Sequence, residues 1–250
     1  MLLYIIIMIN HLNIFINMIK NKETFSLIRP SDGEYYILKN KTFTNIDNWF
    51  HSEKSTLSTD LKNAINTSTT LNNIYIGIPC KDCGEQGGIY KYYTDTFNIP
   101  VEKITYANIF GTYNYKTIIN FLKNEKVPFY YIGSGTKDCD IFNIIDRHII
   151  DEFLVNNWDS NKNEFITKID NWIESKDGIF LFSIGPISKI IIPYLFSKYP
   201  NKTLIDIGSP LDIYLKNTVS RPYMIDNSNE GNQICDFDCG HRYVYNNIII

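Results

Sequence analysis

Two carboxylates and a guanidinium stand together on a Pro/Gly turn near the start of the chain, in Phe25-Ser-Leu-Ile-Arg-Pro-Ser-Asp-Gly-Glu34. The apolar run Phe25 to Ile28 enters a turn of Arg29, Pro30, Ser31 and Gly33, which carries Asp32 and Glu34. A buried strand ending in such a turn is how α/β proteins build sites at the carboxyl edge of a sheet. The same residue types also make an ordinary solvated turn with a local Arg–Asp pair. Read as extended backbone, the turn puts Asp32 and Glu34 on one side of the chain, about 7 Å apart. Two carboxylates so placed suit a hard divalent ion, Mn²⁺ or Mg²⁺, whose other positions are filled by substrate phosphates. Arg29 either pairs with these carboxylates or clamps phosphate.

Two later strand ends carry polar groups as well. Gly178-Ile-Phe-Leu-Phe-Ser-Ile184 is an apolar strand that turns at Gly185-Pro186 into a helix over 187–199. Asn201-Lys202 then turns into a second apolar strand over 203–207, ending in Gly208-Ser209. This is a β-α-β unit of about 30 residues, which implies parallel strands joined by a right-handed crossover. The Gly185-Pro186-Ile187-Ser188 corner leaves free backbone N–H groups at a helix start and, with Lys189 beside it, could hold a phosphate; a plain strand-to-helix turn has the same residues. The third strand end carries Asp206, Gly208, Ser209 and Asp212, where either aspartate is a candidate general base. In a parallel sheet all three ends share one edge.

The elements that must position these groups follow from periodicity. Residues 11–22 read as an amphipathic helix covering the first strand, with Leu12, Phe15, Ile16 and Ile19 at helical spacing. Helices are expected over 47–66, 116–124, 141–155 and 161–176, and strands over 74–78, 104–110 and 127–132. Residues 80–88 read as a loop, with a short helix after it. Strands alternating with helices argue for a doubly wound, mostly parallel Rossmann-like sheet covered on both faces. The domain plan is an N-terminal helical segment, 1–22, one catalytic domain, 23–217, and C-terminal loops and tail, 218–250.

Taken together, these features resemble the GT-D-type glycosyltransferases. Arg-Pro-Ser-Asp-Gly-Glu matches that family's R-x-x-D-G-E element, and Leu-Phe-Ser-Ile-Gly-Pro-Ile-Ser-Lys followed by Leu-Ile-Asp-Ile-Gly matches its late strand ends. The resemblance covers about residues 20–215. It implies a hexosyltransferase-type enzyme that moves a sugar from a nucleoside-diphosphate sugar, a UDP-sugar by preference, to an acceptor hydroxyl on a glycan or glycoprotein. It also implies that Asp32 and Glu34 serve the metal and the diphosphate, that Gly185 and Pro186 fall at the donor site, and that Asp206 lies beside it. Ser209 stands where the family often has His after Asp-Ile-Gly, which favours the alternative of a non-catalytic nucleotide-sugar or carbohydrate binder.

The chain of 250 residues is 44% hydrophobic and 14% aromatic, enough to bury a core and to exclude whole-chain disorder. Its net charge of -3, with the charges mixed along the chain, gives no footprint for nucleic acid. The apolar stretch Met1 to Ile9 is shorter than the ~20 residues of a membrane span and lacks the marks of a signal peptide. Five Cys make an unpromising disulfide scaffold, so a reducing cytoplasm is the expected location. Cys80 and Cys83 with Cys235, Cys239 and His241 would make a zinc site only if loop and tail meet.

Overall fold

Seven of the apolar runs hydrogen-bond side by side into one sheet in the computed structural model, which describes residues 11–45, 49–81, 84–111, 114–151 and 153–225. In chain order the strands are β1 (Ser26–Ile28), β2 (Phe43–Thr44), β3 (Phe50–His51), β4 (Ile74–Ile78), β5 (Ile104–Tyr106), β6 (Pro128–Gly133), β7 (Asn143–Ile149), β8 (Ile179–Ser183) and β9 (Thr203–Asp206). The helices are α1 (His11–Lys20), α2 (Asp32–Leu38), α3 (Leu57–Thr70), α4 (Gly84–Phe97), α5 (Tyr115–Asn124), α6 (Trp158–Glu174), α7 (Pro186–Lys198) and α8 (Asp212–Leu215). The large sheet runs β5-β4-β1-β9-β8-β6-β7, and every neighbouring pair is parallel. Parallel strands are buried on both faces, which is why they read as unbroken apolar runs.

One face is covered by α2, α3, α4, α6 and α7, the other by α1, α5 and α8. Helix α1 lays Leu12, Phe15 and Ile16 on the second face, with the Phe15 ring 5.3 Å from that of Phe25. Helix α7 is buried on nearly every side, as its Ile-rich sequence requires, and lies against β1 and β9 at the middle of the sheet. From β1 the chain moves outward to β4 and β5; after β7 it returns through β8 to β9, which docks on the other side of β1. The β1/β9 boundary is therefore the topological switch point, where open α/β sheets bind ligands beyond their carboxyl ends. Among the described residues no helix is long and apolar enough to cross a membrane.

Three expectations change. Residues 141–155 are not a helix: β7 occupies Asn143–Ile149 and pairs with β6 through an irregularity at Phe129/Tyr130. The residues whose spacing mimics a helix face, Ile145, Ile149 and Phe153, are 51%, 46% and 48% exposed, so their alignment marks no buried stripe. β-branched Ile suits a pleated edge strand equally well. Residues 80–88 are not all loop, because α4 already begins at Gly84. The helix expected from residue 47 begins only at Leu57, and the stretch before it includes the hairpin strands β2 and β3, paired antiparallel. Met1 to Ile9, Asp47, Cys83, Cys235, Cys239 and His241 lie outside the described residues.

The hairpin buries His51, whose two ring nitrogens have no hydrogen-bond partner among the described residues. Burial holds its pKa below the ordinary histidine value, against a weaker upward pull from Asp159. Below about pH 6.5 the unfolded chain binds a proton here that the folded chain resists, so stability is full above that pH and declines as pH falls through it. Thermal melts at pH 7.5 and 5.5 are expected to show a larger loss for wild type than for His51→Phe. His148, also held low chiefly by burial, contributes the same sign in both proteins.

Candidate functional site

Ser31 ends the first turn and starts α2, which places Asp32 at the first helical position and Glu34 at the third. The segment is thus helical where extended backbone was expected. Residues two apart on a helix do not share a face, and the two carboxylates separate accordingly: Asp32 is exposed and Glu34 is buried. Among the described residues Asp32 Oδ1 accepts the Gly33 N–H, at 2.9 Å. Glu34 Oε2 accepts the Ser31 N–H at 2.9 Å, the reciprocal half of a capping box. The buried Tyr93 hydroxyl donates to Ser31 O at 2.8 Å, and burial and then the Glu34 charge push that phenol well above its ordinary pKa.

Next to Asp32 lies a quartet of alternating charge, Arg29 from the turn after β1, Glu34 from α2, Lys189 from α7 and Asp206 from β9. Lys189 Nζ stands 2.9 Å from Asp206 Oδ2 and 3.2 Å from Glu34 Oε1, and it donates to Gly185 O at 3.1 Å. Burial pulls the Lys189 ammonium toward neutrality, but Asp206 and then Glu34 outweigh it, and its pKa stands above the ordinary lysine value. Arg29 donates from Nε to Asp206 O and from Nη1 to Ala107 O, both at 2.6 Å. Its Nη2 lies 3.9 Å from Asp206 Oδ1, and the guanidinium sits 5.1 Å from the centroid of the Phe110 ring. Arg29 thus pairs with a carboxylate, that of Asp206 rather than Asp32 or Glu34, and ties the ends of β1 and β9 to the turn after β5.

Glycines make room for this arrangement. A Cβ on Gly208, whose φ is +66°, would stand 2.3 Å from Arg29 Nη2, and one on Gly77 would stand 3.1 Å from Arg29 Cγ. Gly185, φ +56° and ψ -138°, turns β8 into α7 with Pro186 next, where a missing N–H costs nothing. The Ser188 N–H donates to Gly185 O at 3.2 Å, and the buried Ser188 Oγ has no hydrogen-bond partner among the described residues. Trp49 closes the space between these turns. A Cβ on Gly33 would lie 3.6 Å from Trp49 Cζ2, and one on Gly185 would lie 3.7 Å from its Nε1.

The remaining expected residues line the turn after β9. Ser209 Oγ lies 3.2 Å from Tyr223 OH, and the Asp212 N–H donates to Ser209 O at 2.8 Å. Asp212 is buried, with Oδ1 3.1 Å from Lys216 Nζ and Oδ2 accepting from Ser220 Oγ at 2.9 Å. The structure therefore gathers Arg29, Glu34, Gly185, Pro186 and Asp206 at one edge, with Ser209 and Asp212 following directly on β9. Sequence reasoning missed Trp49, which carries no motif signal, and read Lys189 as a phosphate charge when it is the buried centre of the quartet. The third nearby aromatic, Phe110, was read only as the last residue of a strand.

No family profile matches this chain, and no curated protein matches it in sequence. Its fold does match solved structures. One, described as a selenomethionine-substituted domain of unknown function 1792 (DUF1792), superposes with a TM-score of 0.60 at 13% identity, covering 91% of this chain and 92% of that one. A second, described as the highly conserved domain of unknown function 1792 with a distinct glycosyltransferase fold, gives 0.58 at 14% identity over 91% and 92%. A third, described as a new glycosyltransferase (DUF1792) from Streptococcus sanguinis, gives 0.54 at 14% identity over 90% and 92%. The chain is a single α/β domain that shares this glycosyltransferase fold.

Proposed function

We propose that this protein transfers a sugar from a nucleoside-diphosphate sugar, a UDP-sugar by preference, to an acceptor hydroxyl on a glycan or glycoprotein. The observation that carries the reading is the exposed Asp32 at the switch point of a sheet of this fold, beside the start of α7. Around Asp32 the other charges, Arg29, Glu34, Lys189 and Asp206, are already neutralised by one another. A carboxylate standing free beside a balanced cluster is suited to a ligand that brings its own cation and anion. At the start of α7 Pro186 has no N–H and the Ser188 N–H is given to Gly185 O, so what the helix offers a phosphate is the partial positive charge of its end at Gly185.

The donor set bears on the divalent ion. Among the described residues no three His, Cys, Asp or Glu side chains gather into a metal cage. A Mg²⁺- or Mn²⁺-type site built on one or two carboxylates and completed by substrate phosphates needs no cage, and Asp32 fits such a site. Bound there, the ion would neutralise the diphosphate leaving group. Of the two aspartates expected as base, Asp206 is 0% exposed and Asp212 6%, the latter held by Lys216 and Ser220; in this reading the acceptor's proton falls to Asp212, the less deeply buried of the two.

Thermal melting with Mn²⁺ and a panel of nucleoside-diphosphate sugars tests the reading. One UDP-sugar is expected to raise the melting temperature of wild type and not of Asp32→Asn; binding adds about 2.7 kcal/mol at a hundredfold excess over the dissociation constant. No shift with any nucleotide sugar would sink it. Release of UDP only when an acceptor is present separates a transferase from the non-catalytic binder.

A further inference from the structure

We propose that Glu34 is a positioning residue and not a metal ligand, and that Lys189 holds it to that role. For its ion and diphosphate this rests on the donor-site reading above; for what Glu34 does it rests on the geometry alone. Both Glu34 oxygens are occupied within the protein, Oε2 by the Ser31 N–H at 2.9 Å and Oε1 by Lys189 Nζ at 3.2 Å. Lys189 Nζ donates to Gly185 O at 3.1 Å and is ion-paired with Asp206 at 2.9 Å and with Glu34 at 3.2 Å. Both side chains of the Glu34–Lys189 pair are under 10% exposed.

For Glu34 to join Asp32 on an ion, its side chain would have to leave both partners. That would uncap the start of α2 and take one carboxylate from an ammonium that is itself buried, and breaking a buried pair is strongly destabilising. It would also have to reach round the helix, because residues two apart lie about 200° apart around an α-helix. The carboxylates therefore divide the work. Asp32 faces out and takes the ion. Glu34 faces in, fixes the Ser31 turn and the start of α2, and so sets where Asp32 stands. Lys189 carries the same constraint to Asp206 and to the Gly185 carbonyl, which puts α2, α7 and β9 in one register.

Two readouts on four proteins decide the matter: Mn²⁺ titration by electron paramagnetic resonance with UDP present, and thermal melting. In Asp32→Asn the Mn²⁺ affinity is expected to fall about tenfold or more while the melting temperature holds. In Glu34→Gln the affinity is expected to stay within about threefold of wild type, while the melting temperature drops by roughly 5–10 °C. Lys189→Met and the double variant Glu34→Gln/Lys189→Met complete a cycle. The double variant is expected to lose less than the sum of the two single variants, the mark of a coupled pair, even if one single variant is too unstable to titrate. A Glu34→Gln protein that melts like wild type and loses Mn²⁺ as Asp32→Asn does would overturn the proposal. If wild type takes up no Mn²⁺ with UDP, the donor-site reading falls instead, and the melting temperatures of the cycle still decide what Glu34 does.

Discussion

Arg29→Met is expected to lower the unfolding free energy by about 4 kcal/mol or more. The guanidinium spends its donors on the carbonyls of Asp206 and Ala107, faces the Asp206 carboxylate, and lies over Phe110. Methionine fills much of the volume and supplies none of these partners. Two carbonyls are left without their donor, at about 1–3 kcal/mol each when buried. Asp206, fully buried, is left with Lys189 alone. Arg29→Lys is expected to recover only part of the loss, because one ammonium cannot serve carbonyls on two different segments in the geometry of a planar fork. Urea unfolding followed by circular dichroism measures this directly. A midpoint for Arg29→Met within about 1 kcal/mol of wild type would show that the contacts are incidental and would return Arg29 to the role of a phosphate clamp.

Gly208→Ala is expected to cost about 3 kcal/mol for a single methyl group. Two terms add. The backbone at φ +66° lies in the left-handed region, where an L side chain costs about 1–2 kcal/mol. The new Cβ would also stand 2.3 Å from Arg29 Nη2. The free end of an arginine ordinarily swings aside from such a contact, but this one is pinned by two carbonyls, so relief comes only by giving up the bonds described above. The two substitutions therefore act on one set of contacts. In a double variant, Gly208→Ala is expected to add only its backbone term to Arg29→Met. Full additivity would mean that the clash is relieved elsewhere.

The fold was readable in the sequence where burial on two faces left nothing but apolar residues. The runs at Ile74–Ile78, Ile179–Ser183 and Thr203–Asp206 end in Pro or Gly turns and became strands of the sheet. Reading failed where the same residue types sat at an edge. In β7 the pattern Ile-Ile-Asp-Arg-His-Ile follows neither period cleanly, and an Ile-rich composition supplies helical spacings by chance. The site was readable as a set of strand ends, since a parallel sheet brings them to one edge whatever the side chains do. Its internal wiring was missed. One signal was present but was read as a turn: Ser31-x-x-Glu34 before the apolar run Tyr35 to Leu38 is the capping-box signature of a helix that starts at Asp32, and that boundary decides which carboxylate faces solvent. Lys189, by contrast, does not differ, as a letter in a string, from a surface lysine. Only the packing of α7 against the middle of the sheet buries it.

The sheet order bears on how the chain must be assembled. Strand β1 is among the first elements made, and its partner β9 among the last: Ser26 pairs with Leu204, and the side chain of Arg29 meets a carbonyl 177 positions further on. A nascent chain can zip β1, β4 and β5 together early, but the flank of β1 that will take β9 stays open until nearly the whole domain has left the ribosome. Contacts of such long sequence separation are slow to form and leave a strand edge exposed meanwhile. The residues that make up the charged quartet come together only at that last docking, so truncation before β9 would leave a partly zipped sheet with its centre as an edge, and competence for chemistry would arrive with the final strand.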